Sequence, residues 1–169
     1  MKDSITKKKK KLSLSTEKRK FLSTIQRAVV YEEASENGIC TCISCGKRGP
    51  ISEFDGGHGF AKGASLKMSR IRKNIHAQCH YCNRMVPGGN QIYWFEGVKE
   101  RYGLEEWELL MDLDAACRGN DDARRRLLTK ISEGALYWYV DHKWSALDYK
   151  EEREKYEEII RKNKYKEVF

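Results

Sequence analysis

The chain has 169 residues and a formal net charge of +8, and this length favours one domain with appendages over two independent cores. Leu, Ile, Val and Phe contribute only 34 residues, so apolar packing alone gives a fold weak support. No stretch is long and apolar enough to span a bilayer, and the N-terminus lacks the apolar segment of a signal peptide. We therefore expect a cytoplasmic protein with reduced cysteines and no membrane partner.

The positive charge lies in two regions of the chain. Residues 1–27 carry ten Lys and Arg against two acidic residues, and residues 47–84 carry eight against two. Two basic patches on one protein indicate a polyanionic partner such as nucleic acid. The run Lys7–Lys11 is weaker support by itself, because such runs are as often a solvated surface as a contact site.

The first elements in chain order are a basic arm and a helix. Residues 1–14 are too polar and lysine-rich to pack, which predicts a disordered arm. In residues 15–38 apolar side chains recur at helical spacing. This pattern predicts an N-terminal helix with Ser15 or Thr16 as its cap and Asn37-Gly38 as its stop.

The rest of the chain divides into a glycine-rich unit, residues 39–90, and a C-terminal helical region, residues 91–169. The first unit has short apolar clusters between glycines, which predict loops and brief strands. Helical spacing predicts a short helix over 79–86, further helices over 90–102 and from Leu104, and one or two long helices over 121–165.

Four of the six cysteines form two Cys-x-x-Cys units. The pairs Cys42/Cys45 and Cys79/Cys82 are separated by residues 46–78, and two such turns can complete one tetrahedral Zn²⁺ site. A site closed by four thiolates has no open position, so the zinc is predicted to be structural. Cys40 is an alternative to Cys42 as ligand, and Cys117 is assigned to the core.

Between the cysteine pairs lies a candidate catalytic set. His58 titrates near neutral pH and can act as a general base, while Asp55 and Asn83 offer oxygen ligands suited to Mg²⁺. Each residue also has a structural interpretation: a loop histidine, a turn-forming Asp-Gly and a helix-bracing amide. The two cysteine pairs would bring Asn83 against the segment of Asp55 and His58, which favours the catalytic interpretation.

The order of these motifs resembles a known group. His58, Asn74 and Asn83 between the cysteine pairs are similar to the zinc-knuckle HNH nucleases, and the H-N-N version is similar to phage T4 endonuclease VII. A closer resemblance is to the phage lambda NinG (Rap) recombination family, over roughly residues 25–115. The matching motifs are Cys-x-x-Cys-Gly at 42–46, Asp-x-Gly-His at 55–58, Asn-x-His-x-Gln-Cys-x-x-Cys-Asn at 74–83 and Gly89-Asn90.

The resemblance implies a mostly helical α+β protein with a small zinc-stabilised ββα-metal core, encoded by a phage or prophage. It implies a structure-specific endonuclease that cuts branched DNA such as Holliday junctions or D-loops, with Mg²⁺ or Mn²⁺. His58 is then the base, Asn74 a structural residue of the loop and Asn83 a metal ligand. One departure is Gly57, because many HNH enzymes have the metal-binding Asp directly before the base.

The DNA contacts are predicted from the second basic patch. Such contacts would be salt-sensitive and largely independent of sequence. His76 is added as a candidate phosphate contact, although it and His80 could equally fill a gap beside the cysteines. The helices after residue 104 could form a homodimer interface. The predicted contact residues are Lys62, Lys67, Arg70, Arg72, Lys73, Arg84 and His76.

Two other functions fit part of these features. A non-catalytic zinc-finger DNA-binding protein would explain the cysteines and the charge, but it gives Asp55, His58 and Asn83 no joint task. An HNH nuclease that acts on ordinary duplex DNA would share the chemistry and differ in substrate. Cleavage of a four-way junction compared with a matched linear duplex separates these functions.

Overall fold

The computed structural model describes residues 12–168. Most of the predicted basic arm, residues 1–11, lies outside this range. The described chain is mostly helical, with two small antiparallel sheets. This confirms the predicted α+β class with a large helical share.

Six α-helices and two π-helical turns make up most of the described chain. The predicted helices over 90–102 and from Leu104 are present, and the one over 79–86 is a single π-helical turn. The region 121–165 is broken into several helices instead of one or two long ones. The helices are α1 (Leu14–Glu33), α2 (Gln91–Tyr102), α3 (Leu104–Cys117), α4 (Asp121–Leu128), α5 (Glu133–Leu136) and α6 (Ala146–Asn163), and the π-helical turns are Tyr81–Met85 and Tyr137–Asp141.

Helix α1 ends earlier than the sequence predicts. Its N-cap is Ser13 rather than Ser15 or Thr16, and it stops at Glu33, where Ala34 takes an extended conformation. The glycine stop at Gly38 therefore belongs to the turn before the first strand. Its amide donates to Ser35 O over 2.9 Å.

The strands form two hairpins. β1 (Ile39–Thr41) pairs with β2 (Arg48–Pro50), and the loop between them carries Cys42 and Cys45. β3 (Phe54–His58) pairs with β4 (Ile75–Cys79) in a register that sets Asp55 opposite Gln78 and His58 opposite Ile75. Because side chains alternate along a strand, Asp55 lies on one face of the second hairpin and His58 on the other.

Helix α1 lies between the second hairpin and helix α6. Its buried residues Phe21, Ile25 and Val29 pack with Ile75 of β4 and with Trp144 before α6. A side chain at Gly56 would collide with the backbone of Gln26, so a glycine in β3 permits the close approach of α1. The packing of α1 thus fixes the position of strand β3.

A second core holds α2 to α5 together. Trp94, Val98, Leu110 and Leu127 are fully buried in it. Leu110, one of the residues considered for a dimer interface, thus belongs to the core of its own chain. Within the described residues, no helix combines the length and apolar character needed to cross a membrane.

Candidate metal centre

The four cysteines of the two Cys-x-x-Cys units meet at one point. The sulfur atoms of Cys42, Cys45, Cys79 and Cys82 all lie within 4.8 Å of one another, and those of Cys45 and Cys79 are 3.8 Å apart. Tetrahedral Zn²⁺ with Zn–S bonds of about 2.3 Å requires sulfur–sulfur distances of about 3.8 Å. This cysteine tetrad could therefore hold a structural metal ion such as zinc.

Backbone turns and hydrogen bonds position the cysteine tetrad. Gly46, at a φ of 72°, closes the first turn by donating its amide to Cys42 O over 3.0 Å. The amide of Cys79 donates to Cys42 Sγ, and the Asn90 side chain donates to Cys82 Sγ, both over 3.4 Å. Such donors stabilise negative charge on sulfur, which suits thiolates bound to a cation.

Cys40 is outside the tetrad. Its Sγ donates to Val30 O over 3.5 Å, and burial raises the pKa of its thiol to about 11. A thiol in this environment stays protonated, so the structure decides in favour of Cys42 as the candidate ligand. Cys117 packs against the core of α2 to α5, as predicted.

Asp55 and Asn83 meet beside the tetrad, although they are 28 residues apart in the chain. Asn83 Nδ2 donates to Asp55 Oδ2 over 3.0 Å. Neighbouring ligands of octahedral Mg²⁺ at about 2.1 Å are about 3.0 Å apart, and rotation of the amide exchanges its nitrogen and oxygen. The pair therefore has the spacing and the donor types that a Mg²⁺ site needs.

Arg84 and His80 complete the group around Asp55. Arg84 donates from Nε to Asp55 Oδ2 over 2.7 Å and from a terminal nitrogen to Oδ1 over 2.6 Å, while His80 Nε2 is 3.6 Å from Oδ1. Burial alone would raise the pKa of Asp55, but the hydrogen bonds from Arg84 and Asn83 and the charge of Arg84 outweigh it and lower the pKa. Asp55 is therefore an ionised carboxylate at neutral pH.

This group opens into a cavity of about 630 Å³. Asp55, His80, Asn83 and Arg84 line it on one side, and helix α1 lines it on the other. The cavity has room for a phosphodiester and its water beside the carboxylate. We call Asp55, His80, Asn83 and Arg84 the Asp55 cluster.

The comparison with protein families gives one match. The family model described as the bacteriophage lambda NinG protein matches residues 1–133. The chain belongs to the NinG family. No curated protein and no solved structure matches it.

Membership in the NinG family identifies a phage protein related to recombination. The match includes the cysteine tetrad and the Asp55 cluster, while α6 lies beyond it. The similarity to HNH nucleases and endonuclease VII stays a prediction.

His58 is not part of the Asp55 cluster in this NinG protein. Its Nε2 lies 3.1 Å from Ser69 O, and it does not line the cavity beside Asp55. Burial lowers the pKa of His58 to about 4, so the imidazole is neutral at physiological pH. The expected convergence of His58 with Asp55 and Asn83 is therefore absent, because three residues along a strand separate two opposite faces.

Asn74 lies in the loop between β3 and β4. Its Oδ1 accepts the amide of Phe60 over 2.7 Å, and its Nδ2 donates to Phe60 O and Met68 O, both over 3.0 Å. The side chain is fully buried. These bonds tie the two ends of the loop together.

Two arginines predicted to contact DNA are engaged inside the chain. Arg70 is 8% exposed and donates to Tyr139 O and His142 O. Arg72 bonds to Glu32 and Glu33 of α1. Both arginines therefore link the loop before β4 to distant parts of the chain, and a contact with DNA stays a prediction for each of them.

Lys73 and His76, also predicted to contact DNA, have acidic partners too. Lys73 pairs with Glu106 of α3 over 2.7 Å. The buried ring of His76 bonds to Glu33 over 2.7 Å and stacks on Tyr102. Lys62, Lys67, Lys73 and Arg84 are the predicted DNA contacts with the most accessible side chains, and of these Lys73 and Arg84 are in ion pairs.

His80 and Arg27 are functional candidates that sequence reasoning did not assign. His80 directly follows Cys79 in the chain, so the position of the cysteine tetrad also places His80 beside Asp55. Arg27 lies on the side of α1 that faces the cavity. Helical spacing is the sequence signal that could have identified Arg27, since Ser23, Gln26 and Arg27 form a polar stripe beside the buried residues of α1.

Proposed function

We propose that this NinG protein is a metal-dependent endonuclease that hydrolyses phosphodiester bonds in branched recombination intermediates, such as Holliday junctions or D-loops. The observation that carries the proposal is the meeting of Asp55 with Asn83 in an open cavity beside Arg84. Family membership supports a role in recombination, and the preference for branched DNA rests on that membership.

In this proposal the cysteine tetrad holds zinc with a structural role. Four thiolates leave no open coordination position, so this ion takes no part in chemistry. The tetrad joins the end of β4 to the loop after β1, and Asn83 directly follows Cys82. The tetrad thereby positions the amide of Asn83 against the carboxylate of Asp55.

Asp55 and Asn83 would hold one Mg²⁺, or Mn²⁺ in its place. When bound, this ion supplies positive charge at the phosphoryl oxygens and the leaving oxygen. Arg84 is exposed and can turn from Asp55 towards a phosphate of the substrate. A guanidinium matches two phosphate oxygens at once, so Arg84 would orient the scissile group.

Within this proposal, His80 is the general base favoured by geometry. It lies beside Asp55, and its side chain is 40% exposed, so water can reach it. His80 would take a proton from the attacking water, and Asp55 would stabilise the imidazolium. His58, the base that the HNH resemblance implies, is the alternative, because its neutral imidazole can accept a proton once its bond to Ser69 is released.

The direct test is cleavage of a labelled four-way junction and a matched linear duplex with Mg²⁺. We expect nicking of the junction by the wild-type protein and at least a roughly hundredfold loss in Asp55→Asn. The zinc content of the variant should match the wild type, since Asp55 is outside the tetrad. Equal cleavage by Asp55→Asn would contradict the proposal.

A non-catalytic zinc-containing DNA-binding protein is the second candidate. The hydrogen bonds from Arg84 to both oxygens of Asp55 favour this candidate, because a guanidinium then balances the charge of the carboxylate in place of a metal ion. Such a protein would shift DNA in a gel with or without Mg²⁺ and never cut it.

Cleavage of the linear duplex at the same rate as the junction would instead indicate a nuclease that acts on ordinary duplex DNA. If the protein cuts both strands at a junction, we expect it to act as a homodimer.

A further inference from the structure

Most of the DNA contacts predicted from the sequence form ion pairs or hydrogen bonds within the chain. Arg70, Arg72, Lys73 and His76 bond to other parts of the protein. A nuclease that acts at the Asp55 cluster therefore needs another surface to hold the DNA backbone. The side of α1 that faces away from the core offers one.

A second cavity, of about 550 Å³, lies along the first half of α1. Ser23 and Gln26 line both this cavity and the one at the Asp55 cluster. The two cavities therefore lie next to each other along α1. We call this surface the α1 groove and define it by Lys18, Arg19, Ser23, Gln26, Arg27 and Lys62.

Most of the residues of the α1 groove that come from α1 share one side of the helix. Positions 19, 23, 26 and 27 follow the three-and-four spacing that places side chains on one face, and Lys18 lies on the flank of this face, where it lines the second cavity. Gln26 donates to Gly56 O over 2.7 Å and accepts from Lys62 over 3.0 Å. Gln26 thereby connects the groove to strand β3, directly beside Asp55.

The groove carries positive charge that the chain does not neutralise. Within residues 12–168, Lys18, Arg19 and Lys62 form no ion pair, and no acidic residue lines the second cavity. At the other end, Arg27 pairs with Glu167 and Arg84 with Asp55. Free cations that lead to a candidate catalytic group fit a polyanion better than a neutral or basic partner.

We propose that the α1 groove holds the phosphodiester backbone of one DNA strand on its way to the Asp55 cluster. This inference rests on the proposed nuclease function. From Lys18 to Arg27 the helix rises about 14 Å, which corresponds to about four nucleotides at 3.4 Å per step.

The test measures DNA affinity as a function of salt for the full chain, without added Mg²⁺. In the double variant Lys18→Gln/Arg19→Gln, we expect binding about tenfold weaker and a salt slope smaller by about 2, because each lost phosphate contact lowers the slope by about 1. The matched control is Lys150→Gln/Lys155→Gln, which removes the same charge from two lysines of α6 that are paired outside the groove. The control should bind with the slope of the wild type.

Three outcomes would overturn the inference. An unchanged salt slope in the groove variant, or an equal loss of DNA affinity in the groove variant and the control, would overturn the α1 groove. The proposed nuclease function would still stand in either case if the wild type cleaves the junction. A wild-type chain that binds no DNA overturns the groove and the nuclease together. Circular dichroism of the variants confirms that they are folded, and both changed residues lie at the surface of a helix that glutamine tolerates.

Discussion

The two faces of strand β3 differ sharply in environment. On one face, Asp55 is ionised and meets Asn83, His80 and Arg84 at an open cavity. On the other, His58 is largely buried and neutral, and it lies against the backbone of Ser69. A spacing of three residues, which a helix would place on one side, separates side chains in a strand. The comparison teaches that one short strand can present an open, charged face and a buried, neutral face.

The largest expected effect comes from removing the tetrad that holds both faces in place. Cys79→Ser should lose the structural metal and destabilise the chain by several kcal/mol, because the binding energy of such a metal is folding energy. Metal analysis and thermal unfolding measure the two effects. The matched control is Cys40→Ser, whose hydroxyl can still donate to Val30 O and which should keep its metal. Full metal content in Cys79→Ser would break the assignment of the tetrad.

The next test compares the two histidines directly. If the Asp55 face carries the chemistry, His80→Ala should slow junction cleavage by roughly a hundredfold or more, the usual contribution of a general base. His58→Gln, which can still donate to Ser69 O, should cleave at nearly the wild-type rate. Single-turnover cleavage rates measure both variants. The reverse order of effects would show that His58 turns towards the substrate in the complex.

A pH dependence sharpens the description of the His58 face. The folded pKa of about 4 lies below the ordinary value of 6.5, so the unfolded chain takes up the proton first as the pH falls. The stability that neutral His58 contributes is present above pH 6.5 and is lost on the way down to about pH 4. Between pH 7 and pH 5, urea unfolding should show a loss of roughly 2 kcal/mol more in the wild type than in His58→Gln. Parallel pH profiles would contradict the burial of a neutral imidazole.

The smallest effect concerns the Asp55 face. A divalent cation at Asp55 must displace at least one bond from Arg84, so Arg84→Gln should raise the affinity for Mn²⁺ without DNA by about fivefold, or about 1 kcal/mol. The matched control is Arg27→Gln, which lines the same cavity but bonds to Glu167. Calorimetric titration measures both, with Asp55→Asn as the variant that should bind no ion there. An equal gain in Arg27→Gln would assign the effect to the general charge of the cavity.

Local patterns in the sequence determined the helices α1, α2 and α3 and the cysteine tetrad. Helical spacing and the two-residue gap in each Cys-x-x-Cys unit act over a few residues, so they can be interpreted without knowing the rest of the fold. The ends of α1 and the breaks between 121 and 163 were predicted less well. Packing against Trp144 and the hairpins outweighs local preference there.

Only the tertiary structure decided which polar groups meet. It brings Asp55 to Asn83, Arg84 and His80, places His58 on the opposite face, and pairs Arg72 with Glu32 and Glu33 of α1. Charge counting along the chain could not foresee these pairs, because partners 25 to 40 residues apart are brought together by the cysteine tetrad and by the packing of α1 on the hairpin. Composition determines how many charges a chain carries, whereas the fold determines which of them are paired within the chain.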